Sequence, residues 1–197
     1  MGGEMIMKRE DNGLAFMLQY ENVAWYEDGA VKILDRRVYP TRVEFVTCKG
    51  HEEVAQAITD MVTQSGGPYT AAGMGMALAG YECKDMPKDK AWEYLKKAAY
   101  TLSHARPTTK SRMIQVTNGC LDAAKKALEE GTSVEQSIFN RTIDSLNRRY
   151  SIMSTVAKYL VDMFPDNGNI MTQCFGETIV GTMLREAKAR KKNIEGR

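Results

Sequence analysis

The chain has 197 residues, with 27 Lys and Arg against 25 Asp and Glu, a formal net charge of +2, and 43% apolar residues. This composition is typical of a soluble globular protein, and the length accommodates one large domain or one domain and part of a second. The near balance of charge excludes a broadly basic surface of the kind that offsets nucleic-acid phosphates. We therefore expect no nucleic-acid partner.

Targeting and redox features point to a cytoplasmic protein. The first residues lack the order of positive and then apolar residues that marks a secretion signal. The uncharged segment at residues 68–81 is shorter than the roughly 18 apolar residues that a membrane span needs, so no membrane partner is expected. The cysteines lie far apart and only two histidines are present, which favours reduced thiols over a disulfide framework and argues against a metal site; the cysteines are Cys48, Cys83, Cys120 and Cys174.

The N-terminal quarter of the chain has the pattern of a small antiparallel sheet. Residues 20–26 and 30–34 are rich in β-branched and aromatic side chains and flank the turn sequence Glu-Asp-Gly at residues 27–29. Glycine supplies the positive φ angle that a hairpin turn requires. Residues 43–48 alternate in polarity and predict a third strand.

From His51 the apolar spacing changes to three and four residues, which predicts five helices before residue 165. Pro107 opens one of them, with an expected weak point at Asn118 and Gly119. Two overlapping capping boxes at residues 132–136 start a long amphipathic helix. The predicted apolar stripe of this helix consists of Ile143, Leu146, Tyr150, Met153, Val156, Leu160 and Met163.

The end of the chain has the pattern of the first β-α unit of a parallel sheet. Residues 169–174 predict a short buried strand, and residues 177–192 predict a helix. Such a strand needs neighbours on both edges, and the sequence offers no obvious candidate. We therefore expect a chain cut at the start of a second domain, with residues 170–173 paired with another chain, swapped between protomers, or poorly ordered.

These elements define an α+β fold class. A small N-terminal antiparallel sheet at residues 1–50 packs on a mainly helical bundle at residues 51–165. Residues 169–193 are then expected to form the first β-α unit of an incomplete parallel α/β domain, which the family resemblance given below implies to be Rossmann-like.

Gly66 and Gly67 precede a helix rich in small residues, between Ser65 and Pro68. Backbone amides at a helix N-terminus can approach a phosphate, and the helix dipole favours its charge. The alternative is that these glycines only allow a tight turn and close helix packing. The pattern is neither a Walker loop nor a dinucleotide-binding fingerprint.

A second candidate anion site lies at residues 104–112. Arg106 stands at a helix start and Lys110 follows about one turn later, with the Thr108 hydroxyl between them. Arginine can hold a phosphate with two hydrogen bonds, and helix-end amides can complete such a site. A solvated basic helix end is the alternative.

Cys174 lies where the last predicted strand meets the next helix. Ligands of α/β proteins bind at this end of a strand, and a thiol near a helix N-terminus can act as an acid, a base or a nucleophile. A buried, inert cysteine is the alternative interpretation.

The order of these motifs resembles a known superfamily. Residues 66–68, 105–108 and 170–174 are similar to the motifs of methylthioribose-1-phosphate isomerase, ribose-1,5-bisphosphate isomerase and the α, β and δ subunits of translation initiation factor 2B. The segment Leu-Asp-Arg-Arg-Val-Tyr-Pro at residues 34–40 is similar to an early segment of the same family. The resemblance covers most of residues 20–193, which is only the N-terminal part of a family member.

The resemblance implies a helical N-terminal domain and a C-terminal Rossmann-like domain with the active site between them. It implies a sugar-phosphate aldose-ketose isomerase of methionine salvage in the full-length form, acting on a 1-phosphorylated pentose without a metal or organic cofactor. Cys174 would be one catalytic residue, and its aspartate counterpart would lie beyond Arg197. Gly66, Gly67, Arg106, Thr108 and Lys110 would bind the substrate phosphate.

Two positions depart from the family pattern. Ser65 stands where the family has the arginine of "Arg-Gly-Ala-Pro", and Phe175 replaces the asparagine after the catalytic cysteine. We therefore keep two hypotheses: the N-terminal portion of an isomerase, inactive by itself, or a non-catalytic subunit-interaction module of the initiation factor 2B type. The partners expected are a phosphorylated pentose and a C-terminal domain or another protomer in a homo-oligomer.

Overall fold

The computed structural model describes residues 9–196, which form two compact units. One unit comprises residues 20–144, and the other comprises the remaining described residues at both ends of the chain. Among the described residues, no helix combines the length and the apolar composition that a membrane span requires.

The unit at residues 20–144 contains the predicted antiparallel sheet. After a short helix α1 (Tyr20–Val23), strands β1 (Ala24–Glu27), β2 (Ala30–Leu34) and β3 (Phe45–Cys48) pair in sequence order. Asp28 and Gly29 form the hairpin turn with φ angles of 48° and 74°, the left-handed conformation that matches the twist of paired strands. The hairpin prediction is confirmed, although β1 begins four residues later than the predicted strand because residues 20–23 are helical.

The five predicted helices are confirmed. They are α2 (His51–Thr59), α3 (Gly67–Glu82), α4 (Lys88–His104), α5 (Lys110–Glu130) and α6 (Val134–Asp162). Helix α3 is the centre of the unit, and all of its residues from Gly67 to Gly80 except Tyr69 are buried. Its small residues permit this, since a Cβ on Gly80 would lie 3.0 Å from the backbone of Glu135 in α6.

The expected weak point in α5 is wrong, because the helix continues without a break through Asn118 and Gly119. A Cβ on Gly119 would lie 2.8 Å from Arg141 Nη2, so the glycine provides room for a side chain of α6. Packing against neighbouring helices outweighs the lower helix propensity of glycine.

Helix α6 begins as its capping pattern predicts, with the Ser133 hydroxyl accepting a hydrogen bond of 3.1 Å from the Gln136 N–H. The predicted apolar stripe is correct at Ile143, Leu146 and Tyr150, which are buried, and at Leu160, which packs against the core of the second unit; it is wrong at two positions. Val156 and Met163 are exposed, while Ala157 and Val161 are buried in their place. Ala157 and Val161 belong to the core cluster of the second unit, so the buried face of α6 passes through them.

The second unit combines the C-terminal half of α6 with β4 (Asn167–Ile170), α7 (Glu177–Ala189) and β5 (Asn193–Gly196). Its core consists of Ala157, Val161, Met183 and Ala187, with Ile170 and Ile194 among the half-buried residues around it. The N-terminal segment joins this unit, since the Arg185 guanidinium donates to the carbonyl oxygens of Glu10 and Asn12 at 3.0 and 2.7 Å.

The predicted last strand requires correction. Strand β4 ends at Ile170 and is at most half-buried, instead of covering residues 169–174 as a buried strand. It also has a partner in the same chain, because β5 pairs with it in parallel, with Ile170 opposite Gly196. The sequence of β5, Asn-Ile-Glu-Gly, has one large apolar residue and was too polar to be recognised as a strand. Helix α7 ends at Ala189 instead of residue 192, and Lys191 follows it with a φ of 57°.

Candidate active site

Cys174 lies in the loop at residues 171–176, which connects the carboxyl end of β4 to α7. The side chain is exposed, and the Cys174 carbonyl oxygen accepts a hydrogen bond of 2.9 Å from the Gly176 N–H. Gly176 is the residue before the first turn of α7, so this hydrogen bond closes a turn of the backbone three residues before the helix begins. Cys174 therefore lies in a loop four residues after β4 ends, not in the last position of a strand as the sequence predicts, and its side chain is exposed.

The other three cysteines, Cys48, Cys83 and Cys120, are buried and free. Burial raises the pKa of each of these thiols to about 11. Thiols with raised pKa values and no exposure are poor nucleophiles because little thiolate is present. The interpretation as an inert buried cysteine therefore fits these three positions and does not fit Cys174.

Arg106 lies in an extended stretch between α4 and the 3-10 turn Pro107–Thr109, with φ and ψ of −144° and 118°. A hydrogen bond of 2.8 Å from the Thr59 hydroxyl to the Ala105 carbonyl oxygen ties this stretch to the end of α2. The half-buried Arg106 guanidinium makes no hydrogen bond or ion pair with another residue in the described part of the chain. Its donors are therefore available to an anion.

Thr108 and Lys110 follow in the same segment and are both exposed. The Thr109 N–H donates to the Arg106 carbonyl oxygen at 3.3 Å, which closes the turn ahead of the long helix α5. Lys110 is the first residue of α5. The segment thus places two cationic side chains at the positive end of a helix dipole, a combination that attracts an anion.

Gly67 is the first residue of α3 and Gly66 is the residue before it, in the same unit as Arg106. The Gly67 N–H donates to the Gln64 carbonyl oxygen at 2.9 Å, and Pro68 has no N–H. A Cβ on Gly67 would lie 1.8 Å from Thr63 Oγ1, so only glycine fits at this position. The structure gives direct support to the tight-turn interpretation of Gly67, and a phosphate contact of Gly66 and Gly67 stays a prediction.

The predicted site residues fall into two groups. Gly66, Gly67, Arg106, Thr108 and Lys110 belong to the unit at residues 20–144, and Cys174 belongs to the other unit. Within the described residues, no group of three or more His, Cys, Asp or Glu side chains is arranged to hold a metal ion.

Sequence reasoning missed a buried polar cluster around His51. The His51 Nδ1 lies 2.8 Å from Glu82 Oε2, and the Tyr94 ring packs edge-on at a centroid distance of 5.4 Å. Burial and the nearby Glu82 carboxylate raise the pKa of Tyr94 to about 12. These residues connect α2, α3 and α4, and their wide separation in sequence gave no local signal.

Comparison with known proteins defines the class of this α+β protein. Residues 68–195 match the family described as "Initiation factor 2 subunit family", and the chain belongs to that family. A methylthioribose-1-phosphate isomerase from Carboxydothermus hydrogenoformans is 28% identical over 159 residues, which cover 76% of this chain and 43% of the relative.

Two solved structures share the fold. The δ subunit of translation initiation factor eIF-2B from Archaeoglobus fulgidus has a TM-score of 0.73 and 24% identity over 89% of this chain and 53% of its own. The 5-methylthioribose 1-phosphate isomerase from Pyrococcus horikoshii has a TM-score of 0.71 and 21% identity over 87% and 50% of the two chains. The family match and the relatives confirm the superfamily resemblance, and these two structures confirm the fold class. The chain spans about half the length of these proteins.

Proposed function

We propose that the chain is the N-terminal portion of a sugar-phosphate isomerase that interconverts a 1-phosphorylated aldopentose and its ketose, and that it is inactive by itself. The observation that carries the proposal is Cys174, which is exposed between β4 and α7 while the other cysteines of the chain are buried. The isomerases among the relatives support the reaction class.

The reaction requires ring opening of the sugar followed by transfer of a hydrogen between C1 and C2, with no net change in redox state. Cys174 acts in this proposal as the acid, base or nucleophile of that step. The Arg106 guanidinium holds the phosphate, assisted by Thr108, Lys110 and the residues at the start of α3. An aspartate outside residues 1–197 is the second catalytic group, which accounts for the proposed inactivity.

Turnover of methylthioribose 1-phosphate tests this proposal. The chain alone is compared with an extended protein, in which the C-terminal part of the Carboxydothermus relative follows residue 197. We expect background activity from the chain alone and turnover from the extended protein, with at least a hundred-fold loss in Cys174→Ser. Met171→Ser, in the same exposed loop, serves as the matched control and retains turnover.

Ketose formation by Cys174→Ser at the rate of the parent protein would refute the proposal. An extended protein without turnover on any 1-phosphorylated pentose would refute it too, provided that circular dichroism and cooperative thermal unfolding show the protein to be folded.

Two observations favour a second candidate, a non-catalytic interaction module of the initiation factor 2B type. Ser65 replaces the family's phosphate-binding arginine and is exposed with a φ of 57°. Phe175 is an aromatic residue, 60% exposed, where the family has an amide. Under this candidate, Phe175→Ala weakens association with another subunit, and Cys174→Ser has no effect on it.

The proposal also covers the domain boundaries, the localisation and the oligomeric state of the protein. We propose that residues 1–50, 51–165 and 169–193 correspond to the β segment, the helical domain and the first β-α unit of a Rossmann-like domain. We also propose a cytoplasmic homo-oligomer, since family members include proteins named as subunits of larger assemblies.

A further inference from the structure

Strand β3 is paired on one side only, because the strands of the sheet follow the order β1, β2, β3. The Asp35 N–H donates to the Glu44 carbonyl oxygen, and this register makes residues 44, 46 and 48 the ones that bond to β2. The backbone groups of alternate residues point to opposite sides of a strand, so the N–H and C=O groups of Phe45 and Thr47 point away from β2. Within the described part of the chain, these four groups have no hydrogen-bond partner.

A cavity of about 280 Å³ lies beside this outer edge of β3. Val46 and Thr47 of β3 line it, together with Glu53, Ala57 and Asp60 of α2. Thr47 therefore belongs both to the cavity and to the unpaired edge. The volume is below the roughly 300–1,000 Å³ of a pocket for a whole drug-sized ligand, and it suits a single long side chain.

The α2 side of the cavity carries two carboxylates that lack a cationic partner. Glu53 accepts a hydrogen bond of 2.7 Å from the Lys49 backbone N–H, and Asp60 accepts one of 2.7 Å from the Gln56 side-chain amide. Both donors are neutral, and neither carboxylate forms an ion pair with another described residue. Each carboxylate keeps an oxygen that can accept from a further donor.

Arg37 also lines the cavity, but its charge is already matched. Its guanidinium donates to the Asp35 carboxylate through Nε at 2.9 Å and Nη2 at 2.7 Å. Asp60 acts on Arg37 only through a weaker electrostatic attraction. The cavity therefore retains an excess of negative charge, which attracts a cationic side chain.

We propose that β3 and this cavity bind a partner polypeptide, which adds an extended strand to the outer edge and places a Lys or Arg side chain in the cavity. In this mode of recognition, main-chain hydrogen bonds supply affinity and a side-chain pocket beside the edge supplies specificity. The site uses neither Cys174 nor Arg106, so it goes beyond the proposed isomerase activity and can be tested independently of it.

The exposed apolar side chains at the edge favour a polypeptide over a small free cation. Phe45 is 38% exposed, and Val43, two residues before it, is 56% exposed. Residues that lie opposite each other on neighbouring strands pack together, so a Val, Ile or Thr of an added strand covers the Phe45 ring. A free amine fills the cavity and leaves both the edge and Phe45 uncovered.

Fluorescence anisotropy with synthetic peptides and the full chain tests the proposal. The probe is fluorescein-labelled Thr-Val-Thr-Lys-Val-Thr-Val, and we expect it to bind at least ten-fold more tightly than the same peptide with Glu in place of Lys. Two further peptides are N-methylated at every second amide, one in each register. We expect N-methylation to weaken binding at least ten-fold in one register only, because alternate amides of an added strand face the edge.

Two outcomes of the peptide series overturn the proposal. One is the absence of saturable binding of the Lys peptide up to about 1 mM, which corresponds to a binding free energy of about 4 kcal/mol or less. The other is equal binding of the Lys peptide and both N-methylated forms, which would mean that the cavity holds an amine without strand addition.

Substitution of the two carboxylates tests the role of charge. The double variant Glu53→Gln, Asp60→Asn keeps the acceptors for the Lys49 and Gln56 donors, and we expect it to bind the Lys peptide at least ten-fold more weakly. Glu52→Gln is the matched control, since Glu52 is 67% exposed on the same helix and does not line the cavity. Unchanged binding by the double variant, or equal weakening by both proteins, overturns the proposal.

Amide hydrogen exchange measured residue by residue by NMR locates the contact. In the free chain we expect protection at Val46 and Cys48, which bond to β2, and rapid exchange at Phe45 and Thr47. The Lys peptide is expected to slow exchange at Phe45 and Thr47 at least ten-fold. Protection of these two amides in the free chain would show that the edge is already covered, and it overturns the proposal, as does unchanged exchange with the peptide bound.

Discussion

At the scale of single residues, exposure separates one cysteine from the other three. Cys174 follows a short strand and lies outside the core, whereas Cys48, Cys83 and Cys120 are buried. The sequence alone left an inert buried cysteine open at position 174, because a short apolar segment gives no information on which side of it faces solvent. Exposure makes chemistry at Cys174 feasible, and the buried thiols affect stability instead.

The buried thiols predict a loss of stability at alkaline pH. Burial raises the pKa of Cys120 from 9.0 to about 11, so the folded state keeps its proton while the unfolded state releases one. This contribution to the free energy of unfolding is fully present below pH 9 and is lost as the pH rises from 9 toward 11. The loss is up to about 1.4 kcal/mol per pH unit for each thiol that keeps its proton only in the folded state.

Urea unfolding of the parent and of Cys120→Ala between pH 8 and pH 10.5 measures this effect. We expect the free energy of unfolding to fall less steeply with pH in the variant, by at most the contribution of one proton. The cavity left by the substitution lowers stability at every pH and does not change the slope. Identical slopes in both proteins would contradict a pKa shift at Cys120.

At the scale of elements, alanine substitutions at two helical glycines are expected to have opposite effects on stability. Gly67→Ala brings a Cβ within 1.8 Å of Thr63 Oγ1, and Thr63 is buried and cannot move away freely. We expect a loss of about 2–3 kcal/mol in the free energy of unfolding. Gly119→Ala meets only the end of the flexible Arg141 side chain, and we expect no loss or a gain of up to about 1 kcal/mol from helix propensity.

Chemical denaturation of the two variants in parallel provides the measurement, and each variant is the control for the other. Equal effects in both would show that the close approach of Thr63 does not limit the residue at position 67.

Elements with a regular pattern were predictable from the sequence, and elements defined by tertiary contacts were not. Strands β1 to β3 and helices α2 to α6 follow from polarity, spacing and capping. Strand β5 was missed because its polar sequence becomes a strand only by pairing with β4. The outward position of Val156 and Met163 was missed because the period of α6 cannot show that the helix has two apolar faces.

At the scale of the whole molecule, the two units divide the candidate site residues. The unit at residues 20–144 holds Arg106 with a guanidinium available to an anion, and the other unit holds Cys174. The order of the motifs in the sequence was sufficient to predict the family. The hydrogen bond from the Gly67 N–H to the Gln64 carbonyl oxygen could not be predicted, because it depends on how the loop before α3 folds.

The central claim is that Cys174 performs the chemistry of an isomerase. Its most direct test follows turnover of methylthioribose 1-phosphate by the extended protein while iodoacetamide modifies its thiols, with sites identified by mass spectrometry. We predict that one equivalent of label at Cys174 abolishes turnover and that substrate slows the labelling. Full turnover after complete modification of Cys174 would contradict a catalytic role of this residue.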